Sequence, residues 1–389
     1  MSVTAPLGFR AAGVTAGLKE SGQPDVAVVL NDGPSRAAAA VFTGNRVQAA
    51  PVIWSRQVVS GGRVRAVVLN SGGANACTGP LGFTDTHATA ERLAAALDAV
   101  SAEHGGAGEM AVCSTGLIGE RLPMDKLLPG VAAAVAEASR AGGLAAADAI
   151  RTTDTVVKIA FRRGTGYTIG GMAKGAGMLA PGLATMLCVV TTDAELAPAE
   201  LDAALRSATA VTFDRLDTDG CMSTNDTVLL MASGASGVTP DRTEFVQVLT
   251  EVCADLARQL QLDAEGAEKM ITIEVVGAAS ENDAVTAGRA VARNNLLKCA
   301  IGGEDPNWGR VLAAVGTTDA VFQPERLNVA INGIWVCRHG APGDERSKVD
   351  LKPKDVTITV DLSAGPHSAT ILTTDLTAAY VHENSAYST

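Results

Sequence analysis

Near-continuous apolar runs alternate with amphipathic stretches along the first two-thirds of the chain, and this alternation predicts an α/β fold. Residues 25–30, 38–42, 64–70 and 110–113 have the length and the Ala/Val/Leu content of buried strands. Residues 86–103 and 124–140 instead repeat apolar positions at helical spacing, the first with Asp85 as its N-cap, the second following Pro123. Residues 156–161 and 167–171 read as a hairpin, 171–185 as a loop of Gly, Pro and Met, and 185–191 as a buried strand. A helix opened by Pro198 follows over 198–213, then a strand at 227–232 and a long amphipathic helix at 243–262.

Beyond that helix the texture changes to a strand at 272–276, a helix at 284–299, and strand-like runs at 327–331, 334–337, 356–361 and 369–372. Asn332-Gly333 between two apolar runs is a two-residue hairpin signal. The pattern predicts a main domain over 1–280, a smaller α+β domain over 281–375, and a polar tail over 376–389.

Composition narrows the function classes. The 389 residues suit about two or three domains of roughly 150 residues each. With 31 basic and 42 acidic residues, a net charge of −11 and no Lys/Arg cluster, the chain lacks the electrostatic footprint of a nucleic-acid binder. The uncharged stretches at 66–84 and 175–192 are too polar or too rich in Gly for a membrane span, and the N-terminus has no secretory pattern. Seven scattered cysteines without a C-x-x-C pair read as free thiols of a reducing cytoplasm.

Familiar catalytic signatures are missing: there is no G-x-S-x-G, H-E-x-x-H, G-x-x-x-x-G-K-[ST] or G-x-G-x-x-G. The five histidines lack metal-ligand spacing, and in Asp217-Thr218-Asp219-Gly220 the glycine falls too early for a calcium loop. Neither a metal nor a cofactor is expected.

What stands out is the segment 174–188 (KGAGMLAPGLATMLC), where a lone Lys174 precedes small residues that end in Ala184-Thr185 at the mouth of an apolar strand. On the residues alone it is either a plain loop entering a strand or a self-cleaving segment with Thr185 as nucleophile. A Thr hydroxyl needs an adjacent base. A new N-terminus at Thr185 would supply one, because an α-amine titrates at about 7.7–8.0, more than two units below lysine. Small residues before it would let the hydroxyl approach the Ala184 carbonyl. Segment 113–119 (CSTGLIG) could meet an oxyanion through backbone N–H groups and a hydroxyl, or be a simple strand-to-helix turn. The Gly-rich turn at 70–76 could line a pocket, and turn chemistry explains it equally well.

Together these segments resemble the ornithine acetyltransferases of arginine biosynthesis, also called glutamate N-acetyltransferases. The resemblance runs through 70–77 (NSGGANAC), 113–119 (CSTGLIG), 152–154 (TTD), 171–187 (GMAKGAGMLAPGLATML), 223–227 (STNDT), 263–266 (DAEG), 305–310 (DPNWGR) and 383–387 (ENSAY). It implies an αββα-type sandwich like that of self-processing N-terminal-nucleophile enzymes, with a smaller C-terminal domain. It also implies cleavage between Ala184 and Thr185 into chains 1–184 and 185–389, assembled as an α2β2 heterotetramer. Thr185 would then carry the acetyl group from N-acetylornithine to glutamate, with Thr115 and Gly116 as the oxyanion hole. Substrate contacts would come from Thr152, Lys174, Thr185, Glu265, Asn384 and Thr389, with Thr153 the alternative to Thr152. Lys174 would meet a substrate carboxylate and Glu265 an amine. Some relatives also accept acetyl-CoA as donor. The loop departs from the commoner family pattern at Ala176, Gly182 and Leu183, none of them a catalytic group. The competing reading is an N-terminal-nucleophile aminopeptidase or amidase, in which water would resolve the acyl-enzyme.

Overall fold

The computed structural model describes residues 2–101, 104–180 and 186–386. In chain order the elements are β1 (Phe9–Val14), β2 (Val26–Asn31), β3 (Ala37–Phe42), α1 (Ala50–Ser60), β4 (Ala66–Asn70), α2 (Gly79–Asp98), β5 (Met110–Ser114), α3 (Met124–Glu137), α4 (Gly143–Ala149), β6 (Lys158–Arg163), β7 (Thr168–Lys174), β8 (Leu187–Thr192), α5 (Pro198–Ala210), β9 (Thr227–Ala232) and α6 (Arg242–Leu262). A second series follows: β10 (Met270–Ala278), α7 (Glu281–Ala292), α8 (Asn295–Gly302), α9 (Trp308–Val315), β11 (Asn328–Ile331), β12 (Ile334–Arg338), β13 (Ala341–Pro342), β14 (Asp355–Asp361), β15 (His367–Thr374) and α10 (Ala378–Ala386).

Two sheets form the heart of the first series, one in the order β1-β2-β4-β5 and the other β3-β9-β8-β7-β6. Their facing sides share one core, with Val29, Leu69 and Cys113 from the first meeting Met172, Val189 and Met231 from the second. The outer face of the first sheet packs Val28, Val68 and Val112 on Leu93 of α2 and Leu127 and Val131 of α3. The outer face of the second packs Ile169, Val190 and Leu230 on Leu201 and Leu205 of α5 and on Val252 and Leu256 of α6. The layers therefore run helix, sheet, sheet, helix. Burial on both faces is why β2, β4, β8 and β9 are buried at every position and mostly apolar instead of alternating. The parallel pairs β4–β5 and β8–β9 are joined by crossovers through α2 and α5.

The third sheet runs β13-β12-β11-β14-β10-β15 and covers α7 and α9 through Ile273, Val275 and Ile371 against Val291, Val311 and Val315. Its parallel pair is β10–β14. Because β10 belongs to this sheet, a division of the chain by sheets falls between Leu262 and Met270, ahead of the boundary expected at residue 280. The Asn332-Gly333 turn joins β11 and β12, with φ of 47° and 81° as a two-residue hairpin turn requires.

Several expected elements are corrected. Helix α2 begins at Gly79 instead of residue 86, because Pro80 starts its first turn; Asp85 lies inside the helix and is ion-paired with Arg121 at 2.7 Å. The helix expected over 284–299 is two helices, separated where the Asn294 side chain accepts from Leu297 N and caps α8. Strand β7 continues to Lys174 through a segment read as loop, since its register with β6 and β8 overrides the weak strand preference of Gly and Ala. The tail expected over 376–389 carries helix α10.

Candidate active site

Two turns at the ends of neighbouring parallel strands form one wall. The turn after β4 and the turn after β5 are laced together by Thr115 N to Asn70 O at 3.0 Å, Gly73 N to Thr115 O at 3.0 Å and Ala74 N to Leu117 O at 2.9 Å. Asn225, just before β9, clamps both by donating from Nδ2 to Ala74 O at 2.6 Å and to Ser114 O at 2.8 Å. Gly116 sits at φ 129°, and a Cβ there would come within 2.9 Å of the Gly73 backbone. The two turns approach so closely that glycine is required. The 70–76 turn thus supports Thr115 from behind, while Ser71 and Gly72 line a neighbouring cavity that also reaches Gly116 and Thr152.

The opposite wall comes from the end of β7 and the turn after α6. A single cavity is lined by Thr115, Gly116, Thr152, Thr153, Lys174, Gly177, Met178, Glu265 and Asn384. Six residues expected from the sequence (Thr115, Gly116, Thr152, Lys174, Glu265 and Asn384), contributed by five separate stretches of chain, therefore face the same space. Both Thr152 and Thr153 reach it. Ala184, Thr185 and Thr389 lie outside the described residues. The described chain resumes at Met186, whose N–H donates to Asp226 Oδ1 at 3.1 Å and whose carbonyl accepts from Thr227 N at 3.1 Å.

Lys174 is 2% exposed and is the centre of the polar contacts. Its Nζ donates to Thr152 Oγ1 at 2.7 Å and to Thr115 Oγ1 at 3.4 Å, and lies 3.9 Å from Asp154 Oδ2. Burial lowers the pKa of this ammonium, an effect that Asp154 partly offsets. Burial would raise the Asp154 pKa, but Lys174 and Lys158 outweigh it and hold the carboxyl at about 2. Glu265 is fixed by its backbone N–H to Ala176 O at 3.0 Å and by Asn384 Nδ2, which donates to Oε2 at 3.0 Å. Its carboxylate packs against Gly177, where a Cβ would fall 2.5 Å from Oε2. Asp226 is fully buried, which pushes its carboxyl well above the usual range.

Asp154, Lys158 and Asp226 escaped the reading of residue types. Asp154 and Asp226 fall inside the TTD and STNDT segments, but nothing in those types tells a buried acid from an exposed one. The seven cysteines are free thiols, four buried and three exposed. Among the described residues no His/Cys/Asp/Glu group is arranged to hold a metal ion, and no helix is long and apolar enough to cross a membrane.

The ArgJ family model matches residues 10–389. The chain belongs to the ArgJ family. It is 75% identical over 389 residues to the arginine biosynthesis bifunctional protein ArgJ of Thermobifida fusca, covering all of both chains. It is 60% identical to the Mycobacterium tuberculosis ArgJ protein, across 99% of this chain and 96% of that one. Among solved ArgJ-family structures, ornithine acetyltransferase complexed with ornithine from Mycobacterium tuberculosis is 61% identical, covering 48% of this chain and 96% of that chain with a TM-score of 0.46.

Proposed function

We propose that this chain is an acetyltransferase of arginine biosynthesis that moves the acetyl group of N-acetylornithine to glutamate. The observation that carries the reading is the single cavity in which Thr115, Gly116, Thr152, Lys174, Glu265 and Asn384 meet. It is cationic at Lys174 and anionic at Glu265, which matches a substrate with a carboxylate at one end and an amine at the other. Two of the three Lys174 protons are taken by Thr152 and Thr115, leaving one for a carboxylate. The seven free thiols suit a cytoplasmic enzyme.

In this reading the Thr185 hydroxyl first attacks the Ala184 carbonyl, and water hydrolyses the resulting ester. The products are chains 1–184 and 185–389, which stay together in an α2β2 assembly. The freed α-amine of Thr185 then takes the hydroxyl proton as Oγ attacks the acetyl carbonyl. Thr115 and the Gly116 N–H would receive the oxyanion. The C–N bond breaks, the proton passes to the departing ornithine amine, and the amine of glutamate takes the acetyl group from Thr185. Thr389 would complete the substrate contacts. Acetyl-CoA would serve as a second donor to the same hydroxyl.

Incubating the purified protein with N-acetylornithine, with and without glutamate, tests the reading. Acetylglutamate should form in step with ornithine release. Ornithine release that glutamate leaves unchanged would instead mark a hydrolase.

A further inference from the structure

Behind the cavity wall runs a buried chain of alternating charge. Lys174 Nζ lies 3.9 Å from Asp154, Asp154 Oδ1 accepts from Lys158 Nζ at 2.6 Å, and Lys158 Nζ also donates to Asp263 Oδ2 at 2.6 Å. The side chains of Asp154 and Lys158 are wholly inaccessible, and that of Asp263 is 8% exposed. Two ammonium groups and two carboxylates offset one another, and removing one member would leave an uncompensated buried charge. Asp154 also accepts from Gly175 N at 2.6 Å and from Thr152 N at 3.1 Å, so one carboxylate ties the backbone next to Lys174 to that of Thr152, whose hydroxyl accepts from Lys174.

We infer that Asp154 is the positioning residue of this site: it keeps Lys174 an ammonium, and the ammonium fixes the Thr115 and Thr152 hydroxyls as donors into the cavity. The inference rests on the acyl-transfer reading of that cavity. An ammonium has donors and no acceptor, so both hydroxyl oxygens accept from Lys174. Each hydroxyl has one proton, which is then left to point into the cavity. A neutral amine would offer a lone pair, and either hydroxyl could turn to donate to it. The wall would then lose a donor at the place where an oxyanion needs one.

Opposing influences act on the Lys174 charge. Burial and the cations Lys158 and Lys19 oppose its charge, while Asp154, Glu265 and Asp226 favour it. Of the three acids only Asp154 has a carboxylate oxygen within 4.0 Å of Nζ among the described ion pairs. Asp226, fully buried, tends to the neutral form.

The test follows Lys174 directly by NMR titration of the purified protein with isotope-labelled lysine, its signal assigned through Lys174→Arg, beside the pH profile of acetyl transfer. In Asp154→Asn the Lys174 titration should fall by about 1–3 pH units. The alkaline limb of kcat should fall with it, and Asp154→Glu should restore both. Should Asp154→Asn fail to fold, Lys158→Met serves instead: it removes an opposing cation, so the Lys174 titration should rise. An unmoved Lys174 titration in folded Asp154→Asn, or an unmoved or lowered one in Lys158→Met, overturns the inference. The titration needs no substrate, so absence of acetyl transfer in the wild type would refute the functional reading separately.

Discussion

Asn384, on the last helix, donates a 3.0 Å hydrogen bond to a carboxylate oxygen of Glu265, 119 positions earlier in the chain. The two residues line the same cavity as Thr115. Helix α10 is set there by its own entry, where Thr377 Oγ1 donates to Gly266 O at 2.6 Å and accepts from Tyr380 N at 3.1 Å. Helix α10 is thus part of the site wall.

Asn384→Ala should therefore raise KM for N-acetylornithine about tenfold, the loss of one hydrogen bond to a charged group. Folding should be unaffected, since Asn384 is exposed. Steady-state kinetics checks this, and an unchanged KM would show that the contact has no part in binding.

Thr115→Ala should lower kcat by about 10²-fold, the usual effect of removing one oxyanion donor. Gly116→Ala should be at least as damaging. It forces a side chain into a φ of 129° and against Gly73, displacing the turn that carries Thr115. Circular dichroism alongside kcat separates a misplaced turn from a lost fold, and full activity in Gly116→Ala would exclude this turn from catalysis.

Self-processing predicts two fragments near half of the 39.5 kDa mass on a denaturing gel, with intact masses that place the cut between residues 184 and 185. Thr185→Ala should give one uncut band. A single band for mature wild-type protein would remove the N-terminal nucleophile from the mechanism.

Stability should fall as pH rises from about 4 to about 6. Burial pushes the fully buried Asp217 carboxyl up to about 6, against an ordinary value of 3.8. The native state then binds more protons than the unfolded chain across that window, and stability declines as pH rises through it, by an amount on the order of 3 kcal/mol at most. Asp217→Asn should flatten the dependence. Denaturant unfolding at a series of pH values reads it directly, and identical slopes for wild type and variant would refute it.

Much of the fold was legible in the sequence because strands covered on both faces lose their alternation. The runs at 25–30, 64–70 and 227–232 announce β2, β4 and β9 within a residue or two. Strand β1 and helices α1, α4, α9 and α10 were not predicted. Lys174 was misread as loop, because a Gly- and Ala-rich strand is specified by its two partner strands instead of by its own side chains.

The sequence by itself determined the α/β class, the family, and which residue types of the site to seek, since these rest on periodicity and on contiguous motifs. Only the tertiary structure decided that Thr115, Thr152, Lys174, Glu265 and Asn384 share one cavity, and that Asp154 and Lys158 lie buried behind it. Burial and distance are properties of five chain segments brought together, and the cost of an unpaired charge depends on them. No single segment carries that information.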